Sequence, residues 1–154
     1  MATLHLICGL PGSGKTTLAR RLETEGAGLR LSPDEWMLAL GYNLYDKQPR
    51  ARIEQLQWDL AQQLLAKGVS VILENGFWSR QERKTYREIA GSLGAQTRLH
   101  YLAVPIDELK RRIIERNESA PAGAVVDPDD LRVWARVFQA PTEDELGDGN
   151  PAFG

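Results

Sequence analysis

Cysteine is nearly absent from the 154-residue sequence. The single Cys8 excludes an internal disulfide and any multi-cysteine zinc site, and it suits a reducing compartment. Histidine is as scarce: His5 and His100 lie far apart in the chain, each in a predicted strand and without a ligand partner at useful spacing, so structural roles are expected for both. No apolar run approaches membrane-spanning length, and the first residues lack the basic start and longer apolar stretch of a signal peptide. A cytoplasmic location with no membrane partner is the expectation. Neither sign of charge is in large excess; the net charge of -2 argues against broad electrostatic binding to a nucleic acid backbone.

What is present fits an ordinary globular protein. The length suits one compact domain, and 42% hydrophobic with 26% charged residues gives no sign of disorder or a fibrous fold. Residues 3–8 form a short apolar run, and Leu18, Ala19 and Leu22 follow at helical spacing up to Gly26. A second strand is predicted over Leu29–Leu31. Ser32 then caps a helix that has Pro33 in its first position, Asp34 and Glu35 in its first turn, and Gly41 at its end. Residues 41–50 read as loop. A longer helix is predicted from Ala51 to Lys67, a buried strand over Val69–Leu73, a helix opened by a Ser79/Glu82 capping box, and a strand from Arg98 to Val104.

Pro105 opens a helix that carries Leu109 and Ile113 inward and ends near Asn117. Residues 118–127 read as a flexible excursion, after which Asp127 caps a last helix through Phe138. The alternation predicts an α/β fold: a doubly wound parallel sheet of four to five strands with helices on both faces. One domain is expected over residues 1–146, with a lid-like segment at about 117–128 and a disordered tail at 147–154.

Between the first strand and helix, Gly9-Leu10-Pro11-Gly12-Ser13-Gly14-Lys15-Thr16 satisfies the phosphate-binding pattern G-x-x-x-x-G-K-[ST]. Glycines let the backbone curl so that successive N–H groups point at phosphate oxygens, and the helix start adds its positive dipole end. Gly9, Pro11, Gly12, Ser13, Gly14, Lys15, Thr16 and Thr17 are therefore the expected nucleotide-binding residues. Lys15 is placed on the β- and γ-phosphates and the Thr16 hydroxyl on Mg²⁺. ATP and Mg²⁺ are the expected cofactors.

With this loop, the chain resembles the small P-loop kinases that include chloramphenicol phosphotransferase, zeta toxins and the 5′-kinase domain of phage polynucleotide kinase. It is most similar to bacterial proteins described as predicted kinases or AAA family ATPases. The segments Leu31–Trp36, Val71–Arg80, Arg111–Asn117 and Phe138–Pro141 carry that closer likeness. The resemblance implies that Asp34, just beyond the second strand, faces the acceptor hydroxyl as base or orienting group. It also implies that Glu74, where relatives usually have aspartate, serves a Mg²⁺-bound water or the acceptor, or else pairs with a neighbouring arginine. Arg112 and Arg116 resemble the arginine pair at the start of an adenylate-kinase-like lid and would neutralise charge on the moving phosphoryl group; an ordinary solvated helix end explains them as well.

Arg80 and Arg83 are expected to form surface pairs, with acceptor contact as the weaker alternative; Trp58 is expected in the core or an interface, and Trp36 and Trp78 in the core or as an aromatic wall of the acceptor cleft. Two positions depart from the relatives: Met37 stands where the nucleic acid and toxin kinases place an arginine, and Gln139 where glutamate is frequent near the adenine. The implied activity is transfer of the γ-phosphate of ATP to a hydroxyl of a small-molecule acceptor by a monomer or homodimer, with a nucleic acid partner not expected. The alternatives are a nucleic acid or nucleotide-sugar kinase, a nucleotide-dependent ATPase or switch module, and a binding module without catalysis.

Overall fold

The computed structural model describes residues 1–147; the expected tail lies outside them apart from Gly147. Four strands, β1 (Thr3–Cys8), β2 (Leu29–Leu31), β3 (Val71–Gly76) and β4 (Gln96–Tyr101), form one sheet in the order β2-β3-β1-β4. Every pairing is parallel, with Leu6 opposite Leu73 on one side and opposite Leu99 on the other. The helices are α1 (Lys15–Thr24), α2 (Pro33–Ala39), α3 (Lys47–Ala66), α4 (Arg80–Ser92), α5 (Ile106–Asn117), α6 (Asp130–Val137) and α7 (Glu143–Leu146).

Alternation along β1 divides the core. Leu4, Leu6 and Cys8 point to the face covered by α3 and α4, where they meet Trp58, Leu65 and Ala90. Ile7 points to the opposite face, with Ile72 against Leu18 and Ala19 of α1. The sheet is thus covered on both sides, as expected for crossover helices between parallel strands. Leu109 and Ile113 of α5 pack with Leu10, Val126 and Leu131 over the end of the sheet at which the strands finish.

Several boundaries differ from expectation. Helix α3 starts at Lys47, with Pro49 inside its first turn, where a missing backbone donor costs nothing. Strand β3 runs on to Gly76, and β4 both starts and ends earlier than Arg98–Val104; past Tyr101 the Leu102 amide still donates to Cys8 O at 2.9 Å, and its side chain packs beside Ile7 and Leu18. Ser79 does cap α4, accepting the Glu82 amide at 3.3 Å, whereas the reciprocal capping box forms at α7 between Thr142 and Glu145. Asp127 precedes α6, the helix expected to be last, without capping it: its carboxylate accepts the Asp129 amide at 2.9 Å, and α6 starts at Asp130.

Residues 118–127 are anchored at several points. The Asn117 side chain donates to Val126 O at 2.6 Å and accepts from Val126 N at 3.0 Å, and Gly123 O accepts the Leu44 amide at 2.9 Å. Ala124 packs on the Met37, Leu44 and Ile53 cluster. Among the described residues no helix is long and apolar enough to cross a membrane.

Candidate functional site

Strand β1 ends at Cys8, and the Gly9 amide then bonds Gly76 O at 3.0 Å, so the glycine-rich loop begins locked to the end of β3. Gly12 and Gly14 take left-handed φ of 86° and 98°, a conformation glycine adopts without penalty. Gly12 also sits tightly under α5, since an added Cβ would lie 3.2 Å from Ile113 Cγ1. The loop passes directly into α1 at Lys15, so backbone donors and the helix start converge.

A cavity of about 790 Å³ opens over this loop. Pro11, Gly12, Gly14, Lys15, Thr16 and Thr17 line it. Gly9 and Ser13, expected beside them, serve the loop itself. Gly9 O accepts Lys15 Nζ at 3.2 Å and Trp78 Nε1 at 3.3 Å, while Ser13 Oγ is buried without a hydrogen-bond partner among the described residues. Lys15 Nζ also donates to Leu10 O at 3.0 Å. Burial pulls its ammonium down to about 8, against the pull of the nearby Asp34 carboxylate.

Asp34, Glu74, Arg112 and Arg116 line the same cavity. The Ser32 hydroxyl accepts the Glu35 amide at 3.2 Å, Pro33 fills the first helical position, and the start of α2 thereby fixes Asp34. Glu74 stands near the end of β3, with Oε1 3.4 Å from Thr16 Oγ1. It also pairs with Arg30, whose Nε lies 3.1 Å from Oε2, the two side chains being 7% and 3% exposed. Arg112 bonds Glu108 at 3.0 Å and Gly12 O at 3.3 Å, a contact that holds α5 onto the loop.

Several cavity residues had no role in the sequence reading. Arg50 of α3 donates to Asp34 Oδ1 at 2.8 Å, and Glu54 one turn on accepts its Nε at 3.1 Å. Burial raises the Glu54 carboxyl, outweighing Arg50, and burial with help from Asp34 raises the Tyr45 phenol. Tyr45 and Trp134 stack with centroids 5.5 Å apart, and Trp78 lies 6.2 Å from Trp134. Only the i,i+4 spacing of Arg50 and Glu54 offered a local signal.

Other expectations resolve outside the cavity. Met37, at the arginine position of the nucleic acid kinases, is fully buried against Leu44 and Ile53. Trp58 and Trp36 pack in the core, whereas Trp78 lines the cavity. Arg80 pairs at the surface with Asp144 at 3.0 Å, but Arg83 is buried and pairs with Glu145. His5 and His100 do meet, Nδ1 to Nε2 at 3.0 Å across β1 and β4. Burial pushes the Cys8 thiol up to about 12, which leaves it an unreactive apolar filler.

A four-stranded parallel sheet with a phosphate-binding loop after its first strand and helices on both faces defines a P-loop nucleotide-binding fold. The profile of an AAA domain family matches residues 4–141, and the chain belongs to that family, a small P-loop kinase-like one. The comparison with curated sequences gave no match. Among solved structures, a protein from Chloroflexus aurantiacus j-10-fl with a provisional kinase designation is 23% identical with a TM-score of 0.75, over 97% of this chain and 85% of that one. A chain of the Pnkp1/Rnl/Hen1 RNA repair complex is 22% identical with a TM-score of 0.75, over 88% of this chain but only 43% of that one. A gluconokinase from Sinorhizobium meliloti 1021 is 16% identical with a TM-score of 0.58, over 99% and 80%. At these identities the likeness establishes the fold, and function rests on the site.

Proposed function

We propose that this protein transfers the γ-phosphoryl group of ATP, with Mg²⁺, to a hydroxyl of a small-molecule acceptor. The observation that carries the reading is one cavity lined at once by the phosphate-binding loop, the Asp34 carboxylate and the Arg112–Arg116 pair. The residues present fit the triphosphate: two left-handed glycines shape the loop, and Lys15 stands on it with donors that a phosphate can take. They fit Mg²⁺ as well, because the Thr16 hydroxyl and the Glu74 carboxylate are hard oxygen donors 3.4 Å apart. When bound, Mg²⁺ supplies charge neutralisation at the phosphate oxygens.

The chain's own residues supply position and charge. Lys15, Arg112 and Arg116 offer cationic donors to the oxygens on which charge accumulates. Asp34 has Oδ1 engaged by Arg50, which leaves Oδ2 to accept a hydrogen bond from the acceptor hydroxyl and, as the new P–O bond forms, its proton. Trp78 and Trp134, which line the cavity, shield that step from water.

The test is transfer of label from γ-labelled ATP with Mg²⁺ to a panel of antibiotics, nucleosides, sugars and 5′-hydroxyl oligonucleotides, run beside Lys15→Ala and Asp34→Asn. Label on one small-molecule class, lost in both variants, is the expected result. Label on oligonucleotides alone would favour a nucleic acid kinase. Slow release of free phosphate, unchanged in Asp34→Asn, would replace the kinase reading with an ATPase one.

A further inference from the structure

The guanidinium of Arg50 joins three parts of the cavity wall. Nη1 donates to Asp34 Oδ1 of α2 at 2.8 Å and to Leu44 O in the α2–α3 loop at 3.1 Å, and Nε donates to Glu54 Oε2 of α3 at 3.1 Å. The Arg50 side chain is only 24% exposed, so these bonds work with limited competition from water. Leu44 in turn gives its amide to Gly123 O at 2.9 Å, inside the segment between α5 and α6. A continuous path of hydrogen bonds therefore runs from Gly123 through Leu44 and Arg50 to the Asp34 carboxylate.

Each end of this path has a reason to matter. The Asp34 carboxylate turns on its own side-chain torsions, and an oxygen that must meet a hydroxyl in line with phosphorus gains from a fixed partner on the other oxygen. The Leu44 side chain is buried with Met37 and Ile53, and Ala124 packs on that cluster, so the 118–127 segment and the loop share one apolar contact beside the hydrogen bond. Met37 of α2 is fully buried against Leu44 and Ile53, and the cation beside Asp34 comes from α3.

We infer that Arg50 is a positioning residue for Asp34, and that through Leu44 it makes the orientation of Asp34 depend on the 118–127 segment being docked. The role requires the planar fork: one nitrogen serves both Asp34 and Leu44 while another is held by Glu54, and a lysine ammonium offers a point charge without that geometry. The inference rests on the phosphotransfer reading for its kinetic consequence; the coupling of the segment to Arg50 does not.

The experiment has two arms on the full chain. In the first, Arg50→Lys and Arg50→Ala are assayed with the acceptor that the labelling screen identifies. The expected result is a kcat lower by about tenfold to a hundredfold with the KM for ATP within about twofold, and partial recovery of Arg50→Ala by added guanidinium ion. In the second, amide hydrogen exchange is followed in the wild type, Arg50→Ala and Glu54→Gln. Exchange at Leu44 and across 118–127 should quicken by about tenfold in Arg50→Ala, with α1 and α4 unchanged.

Full kcat in Arg50→Lys, or failure of guanidinium to restore any activity to a folded Arg50→Ala, overturns the positioning role. Unchanged exchange across 118–127 overturns the link to the segment. If the wild type phosphorylates no acceptor, the phosphotransfer reading fails, and the exchange arm still decides whether Arg50 couples the segment to Asp34.

Discussion

Arg83 grips Glu145 through two nitrogens, Nε to Oε1 at 2.7 Å and Nη2 to Oε2 at 3.2 Å, with the side chains only 2% and 8% exposed. Its remaining nitrogen, Nη1, donates to Phe77 O at 2.7 Å. Phe77 holds a left-handed φ of 50°, directly after Gly76 at 93°. Removing one partner would strand a buried charge, so Arg83→Met is expected to cost about 3–5 kcal/mol in urea unfolding. The double variant Arg83→Met/Glu145→Leu should recover most of that loss. A cost below about 1 kcal/mol for the single change would show that the pair is not a buried structural bond.

Lys15 gives a pH prediction. Burial lowers its ammonium to about 8, and a bound triphosphate would favour the charged form. Above pH 8 the free protein carries a largely neutral Lys15 and must take up a proton when nucleotide binds; below pH 8 it is already charged. Affinity for ADP or ATP should therefore fall as pH rises past 8, by up to about tenfold per unit. Calorimetry at pH 9 in two buffers of different ionisation enthalpy should report close to one proton taken up, and none in Lys15→Met.

The histidine pair sets an acid limit on stability. Burial and the neighbouring His5 push His100 down to about 4, and burial together with Arg98 lowers His5. In the unfolded chain both would take up protons near pH 6.5. At His100 the folded protein thus binds fewer protons between pH 6.5 and 4, and stability is lost as pH falls through that window, at up to about 1.4 kcal/mol per pH unit; His5, lowered in the same direction, adds to the loss below pH 6.5. Denaturation midpoints from pH 8 to 4 should flatten in His100→Gln; an unaltered slope would remove the pair as the cause.

Two glycines should respond oppositely to alanine. At Gly12 the φ of 86° and the Leu109 carbonyl 3.3 Å from an added Cβ both oppose it. A loss of about 1–2 kcal/mol in stability and at least about tenfold in nucleotide affinity is expected. Gly91 lies near the end of α4 with nothing within 4 Å of an added Cβ, so Gly91→Ala should gain up to about 1 kcal/mol without changing nucleotide binding. Equal melting shifts for the two would refute the distinction.

The fold was legible because its signals are local. The apolar run of β1, the glycine pattern after it and the caps at Ser32 and Ser79 each lie within a few residues, and the P-loop was found that way; Asp34, Glu74, Arg112 and Arg116 came from the resemblance to small P-loop kinases. The partners in the pairs that organise the site were not legible, although an arginine beside Glu74 was one of the two expectations: Arg50 with Asp34, Arg30 with Glu74 and Arg83 with Glu145 span 16, 44 and 62 positions, and no periodicity announces them. Pro49 obscured the start of α3, because proline reads as a break although the first turn tolerates it. Thr142 and Glu145 did carry a readable capping spacing, which went unread in the sequence.

Glu145 is among the last of the described residues, yet its carboxylate reaches the guanidinium that supports Phe77 O, one peptide beyond the Gly76 carbonyl that receives the first amide of the phosphate loop. A chain emerging from the ribosome would have β1 and its loop outside early, but would lack the brace behind Gly76 until α7 had followed. Order of synthesis and order of assembly are thereby opposed: the phosphate loop is made well before α7, and lacks its brace behind Gly76 until α7 has followed.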